Sequence, residues 1–405
     1  MSALFRRASV SGVAIVLGAA SLAACGSSNN SPSSTKSSSS SGGGSVTAAC
    51  KLSNPPMSTA KAPAVGNTGH ASGKVGVILP DTTSSTRYTL YDAPLLKRYL
   101  SAAGLTPDVQ NAGGSTQRFA SIAQSMIGEG VKVLIIDSID ASSGAAVEQV
   151  AQQNHVKVID YDRVNLGGTA PYYVSFDNEE VGRLQAQTLI DCLNNQGIKD
   201  PSIIMTDGGT DVDNNAVLFK KGAHDILDPL VSAGKAKIVN EEPVPGWDVT
   251  KAAGVFQQML TAAGGSIQGV VAANDDIANA VIGVLKQTGL NGHVVLTGQD
   301  SGVEGLQNII NGQQSMTVFK NVKIEAQAAA ALAIALMQGK TPAQAGLTVA
   351  KFADPKAPSH NLQALLLPPQ VITQANIKDV TNTGILTVAV VCQNIAPACK
   401  ALGLS

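Results

Sequence analysis

Five short apolar runs, each closed by polar side chains, constrain this chain more than any other feature. They are residues 74–81 (KVGVILPD), 132–138 (KVLIIDS), 157–163 (KVIDYDR), 269–275 (GVVAAND) and 294–300 (VVLTGQD). Runs of β-branched and aliphatic residues without alternation are what a strand buried on both faces requires. Helical patterns separate the runs, so the chain reads as repeated βα units building parallel sheets. Ligands of open α/β sheets sit beyond the carboxyl ends of the strands. Those ends here carry Asp, Ser, Arg and Asn, with no evident nucleophile or metal cluster. The pattern suits gripping a small hydroxylated molecule more than chemistry upon it.

The spacing predicts a first series of strands near 75–80, 106–110, 131–137, 156–161 and 172–176, with helices near 89–103, 116–129, 142–154 and 178–196. A second series has strands near 202–206, 237–241, 269–273, 294–298 and 315–319, with helices near 214–232, 248–263, 276–289 and 302–311. Two series imply two similar α/β lobes rather than one long sheet. An Ala-rich helix at about 322–338 follows, then strand-like runs at 362–367 and 385–391. Because elements recur after the second series, the chain is expected to cross between lobes more than once. We assign 74–178 with about 321–350 to the first lobe and 179–320 with about 351–390 to the second. A cysteine-containing tail, 391–405, closes the chain.

The first 25 residues are read as a leader rather than fold. Arg6 and Arg7 precede an apolar core, residues 10–20, too short to span a bilayer. Residues 22–25 (LAAC) look like a bacterial lipobox that would make Cys25 the lipidated first residue of the mature chain. An ordinary secretory signal with an incidental cysteine is the alternative, and the Arg pair is a weak hint of twin-arginine export. Residues 26–49 are almost entirely Ser, Gly, Asn and Thr, a flexible coil of reach ~25–30 Å, and 26–73 as a whole is expected to be tether and transition. The protein would then be anchored on the extracytoplasmic face through lipid alone.

The 28 basic and 29 acidic residues nearly cancel, so nothing favours nucleic acid. Cys50, Cys192, Cys392 and Cys399 allow three disulfide connectivities, of which Cys392–Cys399, flanking a short Pro-containing turn, is favoured. Closing so small a loop contributes ~2–3 kcal/mol. Zinc lacks CxxC spacing and a neighbouring histidine. The stretch from Asp211 superficially suggests a calcium loop, but Ala216 and Gly222 occupy its sixth and twelfth positions where Gly and Glu are needed. Gly113-Gly114 and Gly208-Gly209 do not form GxGxxG. No cofactor and no metal is expected.

Each candidate site residue has a plainer reading beside the functional one. Asp162 and Arg163 close the run 157–163, where Arg163 offers a planar fork of donors; a strand-end salt bridge would explain both. Asn274-Asp275 and Gln299-Asp300 suit hydroxyl groups, yet each could cap the next helix, Asp275 in particular. Trp247, the only tryptophan, is either a partial core residue or a flat face for a sugar ring. Arg87 and Tyr88 lie in the first βα loop and could equally be solvated. Asn214 or Asn215 starts a helix and could face a cleft. Lys320 ends a strand, where a lysine more often faces solvent. Asp162 with Asp300 would also be the carboxylate pair of a glycosidase, though no further feature favours one.

Together these segments resemble the periplasmic sugar-binding proteins of ABC importers, its D-xylose-binding members above all. The likeness runs from about Lys74 to Asp379 and is most specific at YDR (161–163), YYVSFDNEEVG (172–182), VDNNAVLFKKG (212–222), VVAANDD (270–276), TGQD (297–300) and QSMTVFKN (314–321). The resemblance implies a type I periplasmic-binding-protein fold: two doubly wound lobes, a three-segment hinge and a monosaccharide between them. Carried over residue by residue, it implies a ligand set of Arg87, Tyr88, Asp162, Arg163, Asn214 or Asn215, Trp247, Asn274, Asp300 and Lys320. It further implies a monomer that delivers its sugar to a membrane permease, with a sensor that shows its closed form to a signalling receptor as the alternative. The lipobox, the Ser-rich tether and the Cys392/Cys399 tail depart from the Gram-negative pattern and leave the sugar preference open: glucose, another pentose or a sugar alcohol are alternatives to xylose. A LacI-like regulator shares such lobes but needs a DNA-binding head where this chain has an export signal.

Overall fold

Strands rich in Val, Ile and Leu form the centre of both halves of the computed structural model, which describes residues 46–50, 52, 54–61 and 69–404. The leader, Cys25 and most of the Ser/Gly-rich segment lie outside the described residues. The first half begins with β1 (Lys74–Leu79), α1 (Ala93–Ala102), β2 (Thr106–Asn111), α2 (Thr116–Gly128) and β3 (Val133–Ile136). It continues through α3 (Ala141–Gln153), β4 (Lys157–Tyr161) and β5 (Tyr172–Phe176). Every residue of β3 and β5 is buried, as helices on both faces demand.

The second half comprises α4 (Asn178–Asn195), β6 (Ser202–Asp207), α5 (Asn214–Ser232), β7 (Lys237–Pro243), α6 (Val249–Ala262), β8 (Gly269–Ala272), α7 (Asp275–Gln287), β9 (Val295–Leu296), α8 (Val303–Ile310) and β10 (Thr317–Phe319). Then come α9 (Val322–Met337), β11 (Ala350–Ala353), β12 (Asn361–Leu367), β13 (Gln370–Ile372) and three short helices, α10 (Ile377–Thr381), α11 (Val388–Val391) and α12 (Ala396–Ala401).

The first sheet has the order β11-β12-β5-β4-β3-β1-β2 and the second β7-β6-β8-β9, with β10 and β13 paired beside it. A parallel bridge from Gln299 to Val318 joins β10 to the end of β9. In both sheets the second strand lies outside the first and the third lies on its other side, the reversal of order that opens a crevice at the carboxyl ends. The chain passes between halves three times: from β5 to α4, from β10 to α9 and from β12 to β13.

That topology corrects the domain assignment. Residues 350–367 belong to the first half, because β12 pairs in parallel with β5 and β11 pairs with β12. Only from β13 does the chain return to the second half, so its last crossing falls near 368 rather than 351. The apolar run of β12 needed a buried sheet edge, and the exposed flank of β5 supplied it. The run 385–391 is not a strand. Thr387 caps a helical turn by accepting a bond from the Val390 amide at 3.2 Å, and Leu386 and Val391 bury themselves against α8. β9 is shorter than its apolar run because side chains replace its outer rungs: the Ala272 amide donates to Thr297 Oγ1 at 3.1 Å and the Leu296 amide to Ser315 Oγ at 3.0 Å.

Local chemistry fixes the helices. Ser115, Asp140, Asp177, Asp213, Asp248 and Asn274 each cap one by accepting an early amide. α4 and α5 cross so closely that a Cβ on Gly182 would stand 1.8 Å from the Phe219 carbonyl, and one on Gly222 1.9 Å from that of Glu179. α9 is buried on all sides from Ala328 to Leu336, its alanines letting it lie between α1 and the first sheet.

The segment 46–50 is not free tether. Its Ala48 amide donates to the Gly292 carbonyl at 2.9 Å, Thr47 exchanges bonds with Gln196, and Cys50 is disulfide-bonded to Cys192 of α4. A second disulfide joins Cys392 to Cys399.

Candidate functional site

The carboxyl ends of β1, β4, β6, β7, β8, β9 and β10 converge on one cleft between the halves. It holds about 290 Å³ of atom-free space, the open solvent at its mouth included. From the first half come Ser84, Ser85, Arg87, Tyr88, Asp162 and Arg163; from the second come Asp213, Asn215, Phe219, Trp247, Asn274, Gln299, Asp300 and Lys320.

Asp162 stands at the centre. β4 ends at Tyr161, and Asp162 turns the chain with φ 59°, a left-handed conformation that Asp tolerates better than most residues. Its carbonyl is held by Ser175 Oγ at 2.8 Å, Asn215 Nδ2 at 2.9 Å and Tyr173 Oη at 3.1 Å. Its carboxylate accepts from Arg87 Nη1 and from Tyr88 Oη, each at 3.1 Å, with Lys320 Nζ at 3.5 Å. Burial alone would raise its pKa, but Arg87, Lys320 and Arg163 outweigh that and hold it well below the usual carboxylate range.

Arg87 is surrounded by acids. Asp92 accepts from Nε at 3.0 Å and from Nη2 at 2.7 Å, Asp162 takes Nη1, and Glu325 of α9 sits in direct contact with Nη2. Three carboxyls share one guanidinium, so not all ionise with equal ease. Burial pushes Glu325 up to about 8, with Asp162 and Asp92 adding to the effect.

Arg163 links the halves. Nη2 donates to Ser84 Oγ at 3.0 Å and Nη1 to the Ser138 carbonyl at 3.2 Å, while Nε lies 3.5 Å from Asp213 Oδ2 in the other half. Its guanidinium rests over the Tyr88 ring at 5.7 Å, so Tyr88 is filled on that face by the arginine. Asp213 has two further tasks, capping α5 through the Asn215 amide at 2.8 Å and accepting from Trp247 Nε1 at 3.1 Å.

Trp247 is 5% exposed and has φ 58°. For so bulky a residue that is a strained backbone held by its surroundings. Its ring lies on the turn after β6, where a Cβ on Gly208 would approach it to 2.2 Å and one on Gly209 to 2.6 Å. That close approach is the reason for the paired glycines, which carry no phosphate-binding motif. Phe219 meets the indole edge-on at 6.4 Å.

On the remaining rim, Asn274 Nδ2 reaches the Ser84 carbonyl at 3.5 Å and Ser85 Oγ donates to Asp300 Oδ2 at 3.2 Å. Lys320, 5% exposed, stands 3.6 Å from Asp300 Oδ1 and within 6 Å of the Phe176 and Phe219 rings. Arg163 Nε, Gln299 Oε1 and Asp300 Oδ1 are buried without a hydrogen-bond partner. Cations and carboxylates nearly balance and interleave with amides and hydroxyls. That lining suits an uncharged, hydroxyl-rich molecule needing both donors and acceptors.

Of the residues singled out from sequence, Arg87, Tyr88, Asp162, Arg163, Asn215, Trp247, Asn274, Gln299, Asp300 and Lys320 line the cleft. Asn214 does not: it is half-buried on the next face of α5. Asp275 is no helix cap, since Asn274 takes that part by accepting the Ile277 amide at 2.9 Å. Asp160 points away and is bonded to Asn165. Ser84, Ser85, Asp213 and Phe219 were missed. The serines stand just before Arg87, Asp213 caps the helix that Asn215 opens, and Phe219 lies four residues beyond Asn215 on the same helix face. Among the described residues no group of His, Cys, Asp and Glu could hold a metal ion, and no helix is long and apolar enough to cross a membrane.

Residues 75–341 match the description of a periplasmic binding protein domain. The D-xylose-binding periplasmic protein of Escherichia coli K12 is 36% identical over 251 residues, 62% of this chain and 74% of that protein. Its counterpart in Haemophilus influenzae is 35% identical over 272 residues, 67% of this chain and 78% of that protein. A carbohydrate transporter solute binding protein from Chloroflexus aurantiacus, solved with D-glucose, superposes with a TM-score of 0.71 at 27% identity, covering 79% of this chain and 98% of that one.

Proposed function

The chain belongs to the periplasmic binding protein family, and from that premise we propose that it is a solute-binding receptor that captures one monosaccharide, D-xylose, in the cleft and delivers it unaltered to an ABC-transporter permease. The supporting observation is the convergence of strand ends from both sheets on a single polar cleft. Leader and lipobox support export and anchorage through Cys25 on the extracytoplasmic face. The proposed ligand contacts are the cleft residues Arg163, Asn215, Trp247, Asn274, Asp300 and Lys320, with Asp162 held among them by Arg87 and Tyr88.

The walls of the cleft touch directly, through Arg163 with Asp213, Asn274 with Ser84 and Ser85 with Asp300. Opening about the three connecting segments parts these pairs, and sugar hydroxyls take over their partners as the halves close. A pentose has about ten heavy atoms, so micromolar binding, about −8 kcal/mol, requires roughly 0.8 kcal/mol per atom. That lies within the ceiling of about 1.5 for very small ligands only if most hydroxyls are paired.

An enzymatic reading has little support. Asp162, strongly ionised, is a poor proton donor, and Asp300 is engaged by Lys320 and Ser85. Calorimetry with xylose, glucose, ribose, arabinose and xylitol tests the proposal. Tightest binding of xylose supports it, preference for glucose corrects the sugar, and no heat with any of them defeats it.

A further inference from the structure

Asp300 and Ser301 adopt φ 97° and 58° in succession. Two adjacent non-glycine residues in this region are strained and persist only where the surroundings impose them. The Asp300 amide is held by the Val318 carbonyl at 2.9 Å, and the other ties on the turn converge on Asp275, at the first turn of α7 and 4% exposed. Its amide donates to the Gln299 carbonyl at 3.0 Å. Its Oδ2 accepts from the Gly302 amide at 3.0 Å and from Thr317 Oγ1 at 3.1 Å, and Thr317 Oγ1 in turn accepts the Ser301 amide at 3.2 Å. Its Oδ1 accepts from the buried Gln314 side chain at 2.8 Å. The strained turn is therefore held at Gln299 by the Asp275 main-chain amide and at Ser301 and Gly302 by the Asp275 carboxyl group and one relay hydroxyl.

A second observation is independent of those bonds. A Cβ on Gly298 would stand 2.1 Å from Asp275 Oδ1, and one on Gly305 would stand 2.3 Å from Oδ2. Both glycines have ordinary backbone angles, so the space they clear is for the carboxyl group itself. Asp275 does not line the cleft.

We infer that Asp275, relayed through Thr317, is the positioning residue that aims Asp300 into the cleft, a role that rests on the sugar-binding reading above. Without it the turn relaxes, Asp300 leaves Ser85 and Lys320, and the second half loses its central acceptor.

Asp275→Ala and the gentler Thr317→Val test this, each alone and combined with Asp300→Ala, with xylose affinity measured by calorimetry and amide exchange measured without sugar. Each single variant is expected to weaken binding at least tenfold. Exchange should quicken at Asp300, Ser301 and Gly302 while Asn215 and Trp247 stay protected. Added to Asp300→Ala, neither variant should lower affinity more than a further twofold. Affinity within twofold of the parent, a loss that multiplies fully with Asp300→Ala, or unchanged exchange at 300–302 would overturn the inference. If the parent binds no sugar, the binding reading fails, and the exchange result still decides whether Asp275 holds the turn.

Discussion

Replacing Asp162 by Asn keeps the shape of the side chain and tolerates its left-handed backbone, so it isolates the charge. Two hydrogen bonds end on this carboxylate, from Arg87 and Tyr88, with Lys320 close by. At about 1.5–3 kcal/mol for each bond involving a charged group, they amount to roughly 3–6 kcal/mol. An Asn oxygen still accepts from Arg87 and its amide nitrogen donates to the Tyr88 hydroxyl oxygen, so both contacts survive as neutral-acceptor or reversed bonds and what is lost is the carboxylate's charge. Glu325 recovers part of the charge, since Asp162 is among the groups that push its pKa up. The expected loss of stability is therefore about 3 kcal/mol at pH 7, the lower end of what breaking a buried ion pair costs. Because the folded pKa of Asp162 lies below its ordinary value of 3.8, its stabilisation is complete above that value. It disappears as pH falls through the lower folded value. Urea unfolding should thus show a gap between parent and variant that is present at pH 5, narrows toward pH 7 as Glu325 ionises in the variant, and closes in stronger acid. Calorimetry should show xylose binding weakened at least tenfold. A gap under about 1 kcal/mol with unchanged affinity would refute the central place given to this carboxylate.

Three further outcomes follow from neighbouring geometry. Glu325, pushed up to about 8, lends stability that is present below its ordinary 4.5 and lost as pH rises through 8. The parent should soften on going from pH 6 to 9, by up to about 1.4 kcal/mol per pH unit for this group, and Glu325→Gln should soften less; parallel melting curves would contradict this. Trp247→Ala should weaken binding at least tenfold, about 1.4 kcal/mol. Gly208→Ala, by dislodging the ring it would otherwise meet at 2.2 Å, should do the same in part, and full affinity in both would remove the indole from the site. Replacing Cys50 and Cys192 together by Ser opens a loop spanning 142 residues. That should lower stability by roughly 2–5 kcal/mol in urea unfolding and expose residues 46–50 to protease, whereas unaltered cleavage would show that the segment holds without the bond.

Much of the fold was legible because buried parallel strands cannot alternate, so KVGVIL, VLII and GVVA announced themselves. Connections were less legible. β12 reads like any apolar run, and nothing local in it says that it pairs with β5, nearly two hundred residues earlier in the chain. The run 385–391 has strand-like composition, but a capping threonine and a neighbouring helix face decided otherwise. At the site, residues at strand ends were readable from position alone: Asp162, Arg163, Asn274 and Asp300. Ser84 and Ser85 were not, because serines are ordinary in a loop. Asp213 and Phe219 follow from Asn215 once the helix is phased, by one cap and one turn. Asp275 was the hardest: its neighbour Asn274 took the cap, and its own role depends on glycines and a threonine far along the chain.

The most direct measurement is a crystal structure of the protein grown with D-xylose. It should show one sugar ring between the halves, beside Trp247, with Arg163, Asn274, Asp300 and Lys320 within hydrogen-bonding reach of its hydroxyls. A sugar bound on some other surface, with the facing strand ends still bonded only to one another, would contradict the account.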